Sequence, residues 1–407
     1  MTARTAAYQV VLRVFEDDAY ADRVLRTAAV DLDSRDRALA QRLAYGTVQR
    51  ARTLDHAIGT LGKRPVRKLD PPVRAALRLG AYQLGFTDVP EHAAVNETVE
   101  LVRAARLERA VAFTNAVMRR LATGLAPLLA TLPEGTPVEA ALKQSYPDWI
   151  AEVWWDELGE ENALALMQAQ NEPPERVVRL NRRKTGHVDG RPDPDFADAL
   201  HVERIDEPAL EAGLIWPQSR GSQLAGLVVG ARPGERTLDL CAAPGGKATQ
   251  LAGEVVAVEL HPGRARELEE NCRRLGADNV TVVNADATQL PPELSGFDRV
   301  LVDAPCSGLG VLAGRPDLRW RARPLPELQQ ELLRVAAERV KPGGTIVYSV
   351  CTIHSEETDA IVDGSGLEVE PLGADWPQFA HPSRPEFLQT LPHVHGTSGF
   401  FIARLTT

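Results

Sequence analysis

The feature that most constrains the fold is an alternation of short apolar segments with longer amphipathic ones, which begins at residue 235. Five of the apolar segments have the length and composition of buried strands: RTLDL, VVAVEL, VTVVNA, FDRVLVDA and GTIVYSV. The segments PGRARELEENCRRLG and LPELQQELLRVAAERV have helical spacing and are long enough for crossover helices. This alternation predicts a mostly parallel, doubly wound α/β sheet of the Rossmann-like kind.

The first part of the chain has a different periodicity. Apolar residues recur at helical spacing throughout residues 1–125, which predicts an all-α bundle. Residues 126–149 are punctuated by Pro and Gly and are interpreted as a linker with a short helix. Residues 150–230 are interpreted as a small mixed α/β region with a strand at RVVRLN, and residues 231–407 as the main α/β domain. A multidomain chain is expected, because 407 residues are too many for one compact core.

Charge is distributed unevenly along the chain. The net charge is −10, yet residues 1–125 contain 20 Lys and Arg against 14 Asp and Glu, a net charge of +6. A basic part of an acidic protein is typical of a domain that binds a polyanion such as RNA. A solvated charged face is the alternative interpretation. The densest basic segment, QRARTLDHAIGTLGKRPVRK, contains Arg50, Arg52, Lys63, Arg64, Arg67 and Lys68.

Composition disfavours several classes of protein. No apolar run reaches the roughly 18 to 20 residues of a membrane span, and the mixed charge of the N-terminus is unlike a signal peptide. The cysteines, at positions 241, 272, 306 and 351, lack the paired spacing of a disulfide framework or a zinc site. We therefore expect a cytoplasmic protein without a membrane partner or a bound metal. The sequence does not fix the oligomeric state, although a monomer is favoured.

Distinctive polar residues lie at the ends of the predicted strands. Each of the five strands ends at or just before one of them: Asp239, Glu259, Asp286, Asp303 and Cys351. Ligands of doubly wound sheets bind outside the carboxyl ends of the strands. These side chains are therefore expected to share one site.

The turn AAPGGK after the first strand predicts a nucleoside site. Gly245 and Gly246 let a ligand approach the backbone, and the start of a following helix favours a negatively charged group. Glu259, about 20 residues further on, suits the two hydroxyls of a ribose. Asp286 suits a hydrogen bond from an adenine amino group, or a capping role. S-adenosylmethionine fits this description, since its amino-acid carboxylate takes the place of a pyrophosphate.

Two of the four thiols differ from the others in their predicted position. Cys241 and Cys272 suit buried structural positions, whereas Cys306 and Cys351 lie on loops at the ligand edge of the sheet. For each thiol taken alone, a passive buried cysteine is the alternative. Two thiols on adjacent strand ends of one pocket favour a chemical role.

A thiol beside a methyl donor indicates methylation of a pyrimidine carbon. Cytosine C5 becomes nucleophilic when a thiolate adds at C6, and Lys247 is placed to lower the pKa of such a thiol. The carboxyl group of Asp303 is suited to hydrogen bonds with cytosine N3 and the exocyclic amine. Enzymes that methylate exocyclic nitrogens usually carry Asn/Asp-Pro-Pro-aromatic at the fourth strand, whereas this chain has Asp-Ala-Pro-Cys, which favours carbon. The residues alone do not assign separate roles to the two thiols.

Three blocks, DLCAAPGGKATQLA, DAPCSGLGVLAGRPDLRW and YSVCTIHSEE, resemble the signature blocks of the RNA cytosine-C5 methyltransferases of the NOL1/NOP2/Sun family. The resemblance covers residues 150 to 407. The helical N-terminal part resembles a NusB-like RNA-binding domain, and this fusion is typical of the bacterial RsmB (Sun/Fmu) type. The resemblance implies methylation of a cytosine in 16S rRNA with S-adenosylmethionine as co-substrate.

The resemblance also implies roles for individual residues. Cys351 attacks C6 of the cytosine, Cys306 assists release of the product, and Asp303 contacts the target base. The residues implied to bind S-adenosylmethionine are Cys241, Ala242, Ala243, Pro244, Gly245, Gly246, Lys247, Glu259, Asp286 and Asp303.

Other interpretations and roles stay open at this point. The substrate is tRNA in one alternative, and in another the chain is a non-catalytic RNA-binding ribosome-assembly factor. A third is a redox protein that uses Cys306 and Cys351 as a dithiol. His354, Glu356 and Glu357 either tune the thiol or cap the next helix, and capping is the expected role of the two glutamates.

Overall fold

The computed structural model describes all 407 residues of the chain, which form two compact units. The helical unit comprises Met1–Glu172 and Leu312–Arg321. The α/β unit comprises Pro173–Val311 and Ala322–Thr407. Both units are therefore discontinuous in sequence.

The helical unit contains nine helices within its first 172 residues. They are α1 (Ala3–Glu16), α2 (Ala21–Ala28), α3 (Ser34–Gln49), α4 (Ala51–Gly62), α5 (Pro71–Phe86), α6 (Glu91–Ala104), α7 (Glu108–Ala130), α8 (Pro137–Gln144) and α9 (Asp148–Ala169). Buried Ala, Val and Leu side chains of α1 to α7 form its core. The all-α architecture agrees with the helical periodicity of the sequence.

The unit boundaries differ from the predicted division. α7 runs through residue 125, and the predicted linker 126–149 contains the end of α7 and all of α8. α8 is the short helix expected within this connector, and Pro137 lies in its first turn after the N-cap residue Thr136. The region 150–230 is also divided, since α9 belongs to the helical unit.

The α/β unit begins with a small antiparallel sheet. Its strands are β1 (Val177–Leu180), β2 (Arg191–Pro192), β3 (Ala199–His201) and β4 (Ile215–Pro217), in the order β2-β3-β1-β4. Two helices belong to the same region, α10 (Glu207–Glu211) and α11 (Arg220–Val229). β1 is the strand predicted from RVVRLN, and α11 lies in the segment WPQSRGSQLAGLVV.

The main sheet has eight strands. They are β5 (Arg236–Asp239), β6 (Glu254–Glu259), β7 (Val280–Asn284), β8 (Phe297–Asp303), β9 (Val340–Val350), β10 (Glu368–Glu370), β11 (Leu388–Thr390) and β12 (Phe400–Thr406). The strand order is β10-β12-β9-β8-β5-β6-β7, with β11 beside β12. All five predicted strands are present and mutually parallel. The sequence did not reveal the antiparallel strands β10, β11 and β12.

Five more helices follow β6 in the chain. They are α12 (Pro262–Leu275), α13 (Leu318–Arg321), α14 (Pro326–Arg339), α15 (Asp359–Asp363) and α16 (Pro392–His395). α12 and α14 are the two predicted crossover helices, and α13 belongs to the helical unit. The helix expected after the glycine turn is only a single 3-10 turn, Ala248–Gln250. A full helix does not fit there, because β6 already begins at Glu254.

Candidate active site

The carboxyl ends of β5 and β8 lie side by side at the point where the strand order reverses. β6 and β7 extend to one side of β5, whereas β8 and β9 extend to the other. Such a reversal opens a crevice at the carboxyl ends of the strands. The register aligns Asp239 with Leu301 and Asp303 with Ser349, so the polar strand ends predicted from the sequence meet at this edge.

The two thiols predicted for the site are in contact. The sulfur atoms of Cys306 and Cys351 are 3.4 Å apart, within the range of a thiol hydrogen bond. They come together because Cys306 follows β8, Cys351 follows β9, and these strands are parallel neighbours. The hydrogen bond with Cys351, and then burial, raise the pKa of Cys306 well above its ordinary value, and the charge of Glu357 acts in the same direction. Cys306 therefore keeps its proton at neutral pH and is available as a donor to the neighbouring sulfur.

A buried lysine and a carboxylate form an ion pair beside the thiols. Lys247 Nζ donates to Asp303 Oδ2 at 2.7 Å, and Ser349 Oγ donates to Asp303 Oδ1 at 2.6 Å. The ammonium also lies over the ring of Phe400, 5.0 Å from its centroid. We expected Lys247 to lower the pKa of a thiol, but the geometry assigns its charge to Asp303 instead. The side chain of Asp303 is thereby fixed in orientation at the edge of the sheet.

Asp239 is a titratable group to which the sequence assigned a place at the edge of the sheet but no chemical role. It is 1% exposed at the end of β5. Burial, followed by the nearby negative charge of Asp303, raises the pKa of Asp239 to about 7, and Lys247 partly offsets the rise. The carboxyl accepts one backbone hydrogen bond, from the Cys241 amide at 3.4 Å. The sequence signal was its position as the last residue of a strand in front of the glycine turn.

The glycine turn needs glycine at two positions for steric reasons. Gly245 has a φ of +107°, and a Cβ there would lie 2.7 Å from Leu268 Cδ1. A Cβ on Gly246 would lie 2.9 Å from Trp216 Nε1. Leu268 and Trp216 already occupy the space that a Cβ would need, so this tight turn requires glycine at both positions.

The residues before the glycines connect the turn to the sheet. The amide of Ala242 donates to Val258 O of β6 at 2.9 Å. Ala242 and Ala243 are buried and Pro244 is exposed. Burial raises the pKa of the Cys241 thiol, which packs against the sheet core. These positions connect the turn to the sheet through the backbone, and the Cys241 side chain packs in the sheet core.

Glu259 and Asp286 lie at the ends of β6 and β7, as predicted. Glu259 is buried and accepts the His261 amide at 2.9 Å, with Arg264 3.5 Å from its second oxygen. Asp286 accepts the amide and the hydroxyl of Thr288 at 2.9 and 2.7 Å. These two bonds lower the pKa of Asp286. Asp286 thus caps a 3-10 turn, one of the two roles considered for it, and both carboxylates accept hydrogen bonds at the carboxyl edge of the sheet.

Glu357 has a role that the sequence did not reveal. We expected both Glu356 and Glu357 to cap a helix, but Glu357 is fully buried and accepts hydrogen bonds from Ser307 and Leu325, which are remote in sequence. Glu356 is exposed, with one carboxylate oxygen 3.5 Å from His354 Nε2. Only the meeting of two chain segments distinguishes the two glutamates, so no local pattern could have separated them.

The basic segment of the helical unit divides into two groups. Arg50 packs over the Phe86 ring, and burial lowers the pKa of Arg50. Arg52 donates to Tyr146 O at 2.6 Å and pairs with Asp148 at 2.7 Å. These two arginines are therefore occupied inside the unit, contrary to the expectation that they form one basic face with the others.

The other basic residues of the segment are exposed, and a further arginine from α7 lies near them. Arg120 of α7 donates to Leu61 O at 3.1 Å, which places it beside the loop after α4. We call the resulting group of exposed cations the cationic surface, and it comprises Lys63, Arg64, Arg67, Lys68 and Arg120. Helical periodicity alone could not have predicted that Arg120 lies beside Leu61, 59 residues earlier in the chain.

No helix of the protein combines the length and apolarity required to cross a bilayer. No group of three or more His, Cys, Asp or Glu side chains is arranged to hold a metal ion.

Comparison with known proteins relates both units to described families. Residues 227–406 match the model of the 16S rRNA methyltransferase RsmB/F family, and residues 1–123 match the NusB family. The crystal structure of PH0851 covers 100% of this chain and 99% of its own, with a TM-score of 0.83 and 23% sequence identity. At this level of identity the likeness shows a common fold.

Relatives with higher identity extend over the whole chain. A putative methyltransferase of Mycobacterium tuberculosis is 36% identical, over 99% of this chain and 96% of its own length. A probable ribosomal RNA small subunit methyltransferase B of Synechocystis is 33% identical, over 100% of this chain and 99% of its own length. The resemblance seen in the signature blocks is thereby confirmed. The chain belongs to the RsmB/F family of S-adenosylmethionine-dependent 16S rRNA methyltransferases, with a NusB domain in front of the methyltransferase domain.

Proposed function

We propose that the protein methylates C5 of a cytosine in 16S rRNA through a covalent bond between Cys351 and C6 of the base. The contact between the two sulfur atoms, 3.4 Å apart at the carboxyl edge of the sheet, is the observation that carries the proposal. The name of the Synechocystis relative, a small-subunit rRNA methyltransferase, supports 16S rRNA as the substrate. Asp303, fixed by Lys247 and Ser349 beside the thiols, is suited to hold the pyrimidine edge.

The residues of the glycine turn and the rim fit S-adenosylmethionine. Gly245 and Gly246 keep the turn tight, since Leu268 and Trp216 leave no room for a Cβ there, and the buried carboxylate of Glu259 suits the ribose hydroxyls. Asp286 lies at the neighbouring strand end. When bound, S-adenosylmethionine supplies the methyl group.

We assign separate roles to the two thiols, as the resemblance of their blocks to the family's signature blocks implies. The raised pKa of Cys306 keeps its thiol protonated, so Cys306 is suited to donate a hydrogen bond to the sulfur of Cys351, 3.4 Å away. The Cys351 thiolate adds to C6, and the electron pair of the C5–C6 bond moves to C5, the carbon that is methylated. Loss of the C5 proton to a base then returns an electron pair to the ring and expels the Cys351 thiolate. Cys306 contacts the departing sulfur, in keeping with a role in release.

The high pKa of Cys306 argues against the dithiol redox alternative. Redox-active cysteine pairs depend on a thiolate with a lowered pKa in a positive environment. Here the pKa of Cys306 is raised, and the positive charge of Lys247 is paired with Asp303. The raised pKa of Cys306 therefore does not match that of a redox-active thiol.

The decisive test is nucleoside mass spectrometry on unmodified 16S rRNA and tRNA incubated with the protein and S-adenosylmethionine. We expect 5-methylcytidine in the rRNA alone and none with Cys351→Ala. A Cys306→Ser variant should accumulate a covalent RNA–protein complex on denaturing gels. Formation of 5-methylcytidine in tRNA would support the proposed reaction but refute the assignment of 16S rRNA as the substrate. Absence of product from rRNA, tRNA and ribosomal particles would favour a non-catalytic assembly factor.

We infer further that the cationic surface contacts RNA phosphates. Its five side chains are exposed on the helical unit, and the acid within the segment, Asp55, is occupied by Arg78 at 2.7 Å. Neutralising phosphates releases counterions, so the logarithm of affinity falls with the logarithm of salt concentration by roughly 0.7 to 0.9 for each contact.

Salt titration of RNA binding tests this surface. Changing Lys63, Arg64 and Lys68 to Ala together should reduce the salt slope by about 2 to 3 and weaken binding to different RNA sequences equally. Arg13 and Arg35, exposed cations elsewhere on the helical unit, provide the matched control in a double alanine variant. An unchanged slope in the triple variant would exclude this surface as the phosphate contact.

A further inference from the structure

The chain leaves the α/β unit close to one of the two thiols. After Cys306 it continues to Val311, enters the helical unit at Leu312, and returns to the α/β unit at Ala322. We call residues 307–325 the strap. Whatever fixes the two ends of the strap also fixes the position of Cys306, which directly precedes it.

A single carboxylate binds both ends of the strap. The Ser307 amide lies 3.0 and 3.2 Å from the two oxygens of Glu357, and the Ser307 hydroxyl donates to the second of them. At the other end, the Leu325 amide donates to the first oxygen at 3.0 Å. Glu357 is completely buried, and it follows the second thiol, Cys351, by six residues.

Further bonds hold the residues on both sides of Cys306. Gln329 Nε2 donates to Pro305 O at 2.9 Å and to a Glu357 oxygen at 2.9 Å. The amide of Gly310 in the strap donates to Cys351 O at 3.0 Å. Cys306 thus lies between Pro305 and Ser307, and both of these residues are connected to the Glu357 carboxylate.

We propose that Glu357 is a positioning residue that holds the Cys306 sulfur within reach of the Cys351 sulfur. The functional meaning of this distance rests on the proposed function, in which the two thiols act on one cytosine. A carboxylate is suited to the task because it only accepts hydrogen bonds, and all four groups around it are donors. No neutral side chain of the same shape offers two acceptor oxygens.

The substitution Glu357→Gln isolates this property. In either orientation of the new side chain, its NH₂ group takes the place of an oxygen that accepts from the Ser307 backbone amide, so two donors face each other. In one orientation the NH₂ group also faces the Leu325 backbone amide. One end of the strap then moves away from its former acceptor. Glu356→Gln is the matched control, because Glu356 lies in the same turn with an exposed side chain.

The rate of disulfide formation measures the spacing of the sulfurs without RNA. Diamide removes two electrons and two protons from the thiol pair, so that one S–S bond forms and the N=N bond is reduced to a hydrazine. Peptide mapping then quantifies the Cys306–Cys351 link. We expect Glu357→Gln to slow its formation roughly tenfold to a hundredfold, the scale of an ångström-sized displacement, and Glu356→Gln to leave it unchanged.

Two additions keep the result interpretable. Thermal unfolding identifies a variant that fails to fold, and Gln329→Leu then serves as a second variant that releases Pro305 but leaves the carboxylate in place. In the presence of 16S rRNA, Glu357→Gln should release its covalent RNA adduct more slowly than wild type, as we also expect of Cys306→Ser, with methyl transfer retained.

The outcomes separate the two proposals. Slower disulfide formation in folded Glu357→Gln or Gln329→Leu supports the positioning role, and wild-type rates in both variants overturn it. If wild-type protein forms no adduct with any RNA, the proposed function fails, while the diamide comparison still decides whether Glu357 positions Cys306.

Discussion

Replacement of Asp239 by Asn should make the α/β unit more stable at pH 8 but not at pH 4. Asp239 is 1% exposed, and its pKa of about 7 lies above the 3.8 of an unfolded chain, so the folded protein resists its ionisation. The contribution of the group to stability is complete below pH 3.8. It is lost as the pH rises through 7, because the unfolded chain ionises first.

The size of the effect follows from the two pKa values. At 1.36 kcal/mol for each pH unit, ionisation of buried Asp239 removes about 4 kcal/mol of stability above pH 7 and about 2 kcal/mol at pH 5. Asn has nearly the same volume and carries no charge. The free-energy advantage of Asp239→Asn should therefore grow by about 3 kcal/mol between pH 5 and pH 8.

Hydrogen exchange followed by mass spectrometry provides the assay, because peptides from β5 and β6 report the opening free energy of this sheet separately from the helical unit. Asp278→Asn, at an exposed position, serves as the control and should show no such pH dependence. A difference between Asp239→Asn and wild type that stays constant from pH 5 to pH 8 would refute the reasoning.

Three further substitutions test other parts of the structure. Arg319→Lys should destabilise the helical unit by about 3 kcal/mol, because a lysine cannot satisfy all the buried acceptors around the guanidinium. Urea unfolding measures this loss, and a value below about 1 kcal/mol would contradict the prediction. Gly245→Ala should weaken S-adenosylmethionine binding at least about tenfold in calorimetry, since the new Cβ would meet Leu268 at 2.7 Å; unchanged affinity would show that the turn adapts. Lys247→Met should slow 5-methylcytidine formation on the order of a hundredfold, because Asp303 loses its 2.7 Å partner; a wild-type rate would exclude the ion pair from catalysis.

The part of the site that follows from strand order was predictable from sequence. Asp303, Cys306 and Cys351 follow two strands recognisable by their apolar runs, and parallel strands place their carboxyl ends at one edge. The glycine turn was predictable for a similar reason, since its conformation depends on a few adjacent residues. The separate roles of the two thiols were implied by family resemblance alone.

Features that depend on the meeting of distant segments were not predictable. Glu356 and Glu357 are neighbours with the same side chain, yet one is exposed and the other accepts bonds from Ser307 and Leu325. Arg50 looked like part of a basic face, but packing against Phe86 occupies it. In each case the deciding partner lies tens of residues away, beyond the reach of helical or strand periodicity.

The buried Arg319 shows how firmly the middle of the strap belongs to the helical unit. Its guanidinium is fully buried and donates to Gln49 O, Ser145 O and the side chain of Asn171 at 2.9 to 3.0 Å. It also lies 3.7 Å from the centroid of the Tyr146 ring. Burial lowers the pKa of Arg319 to about 10, so the group remains charged under ordinary conditions.

This arrangement has a consequence for synthesis on the ribosome. Most of the helical unit is made first, but residues 312–321 are missing from it at that stage. Until they emerge, the acceptors that surround Arg319 in the folded protein have no donor. That segment follows Glu172 by about 140 residues, a delay of roughly 7 to 30 s at ordinary elongation rates. The nascent helical unit must therefore wait, incompletely packed, for a piece of chain that is synthesised within the other unit, and it reaches its final structure only after β8 and Cys306 have been made.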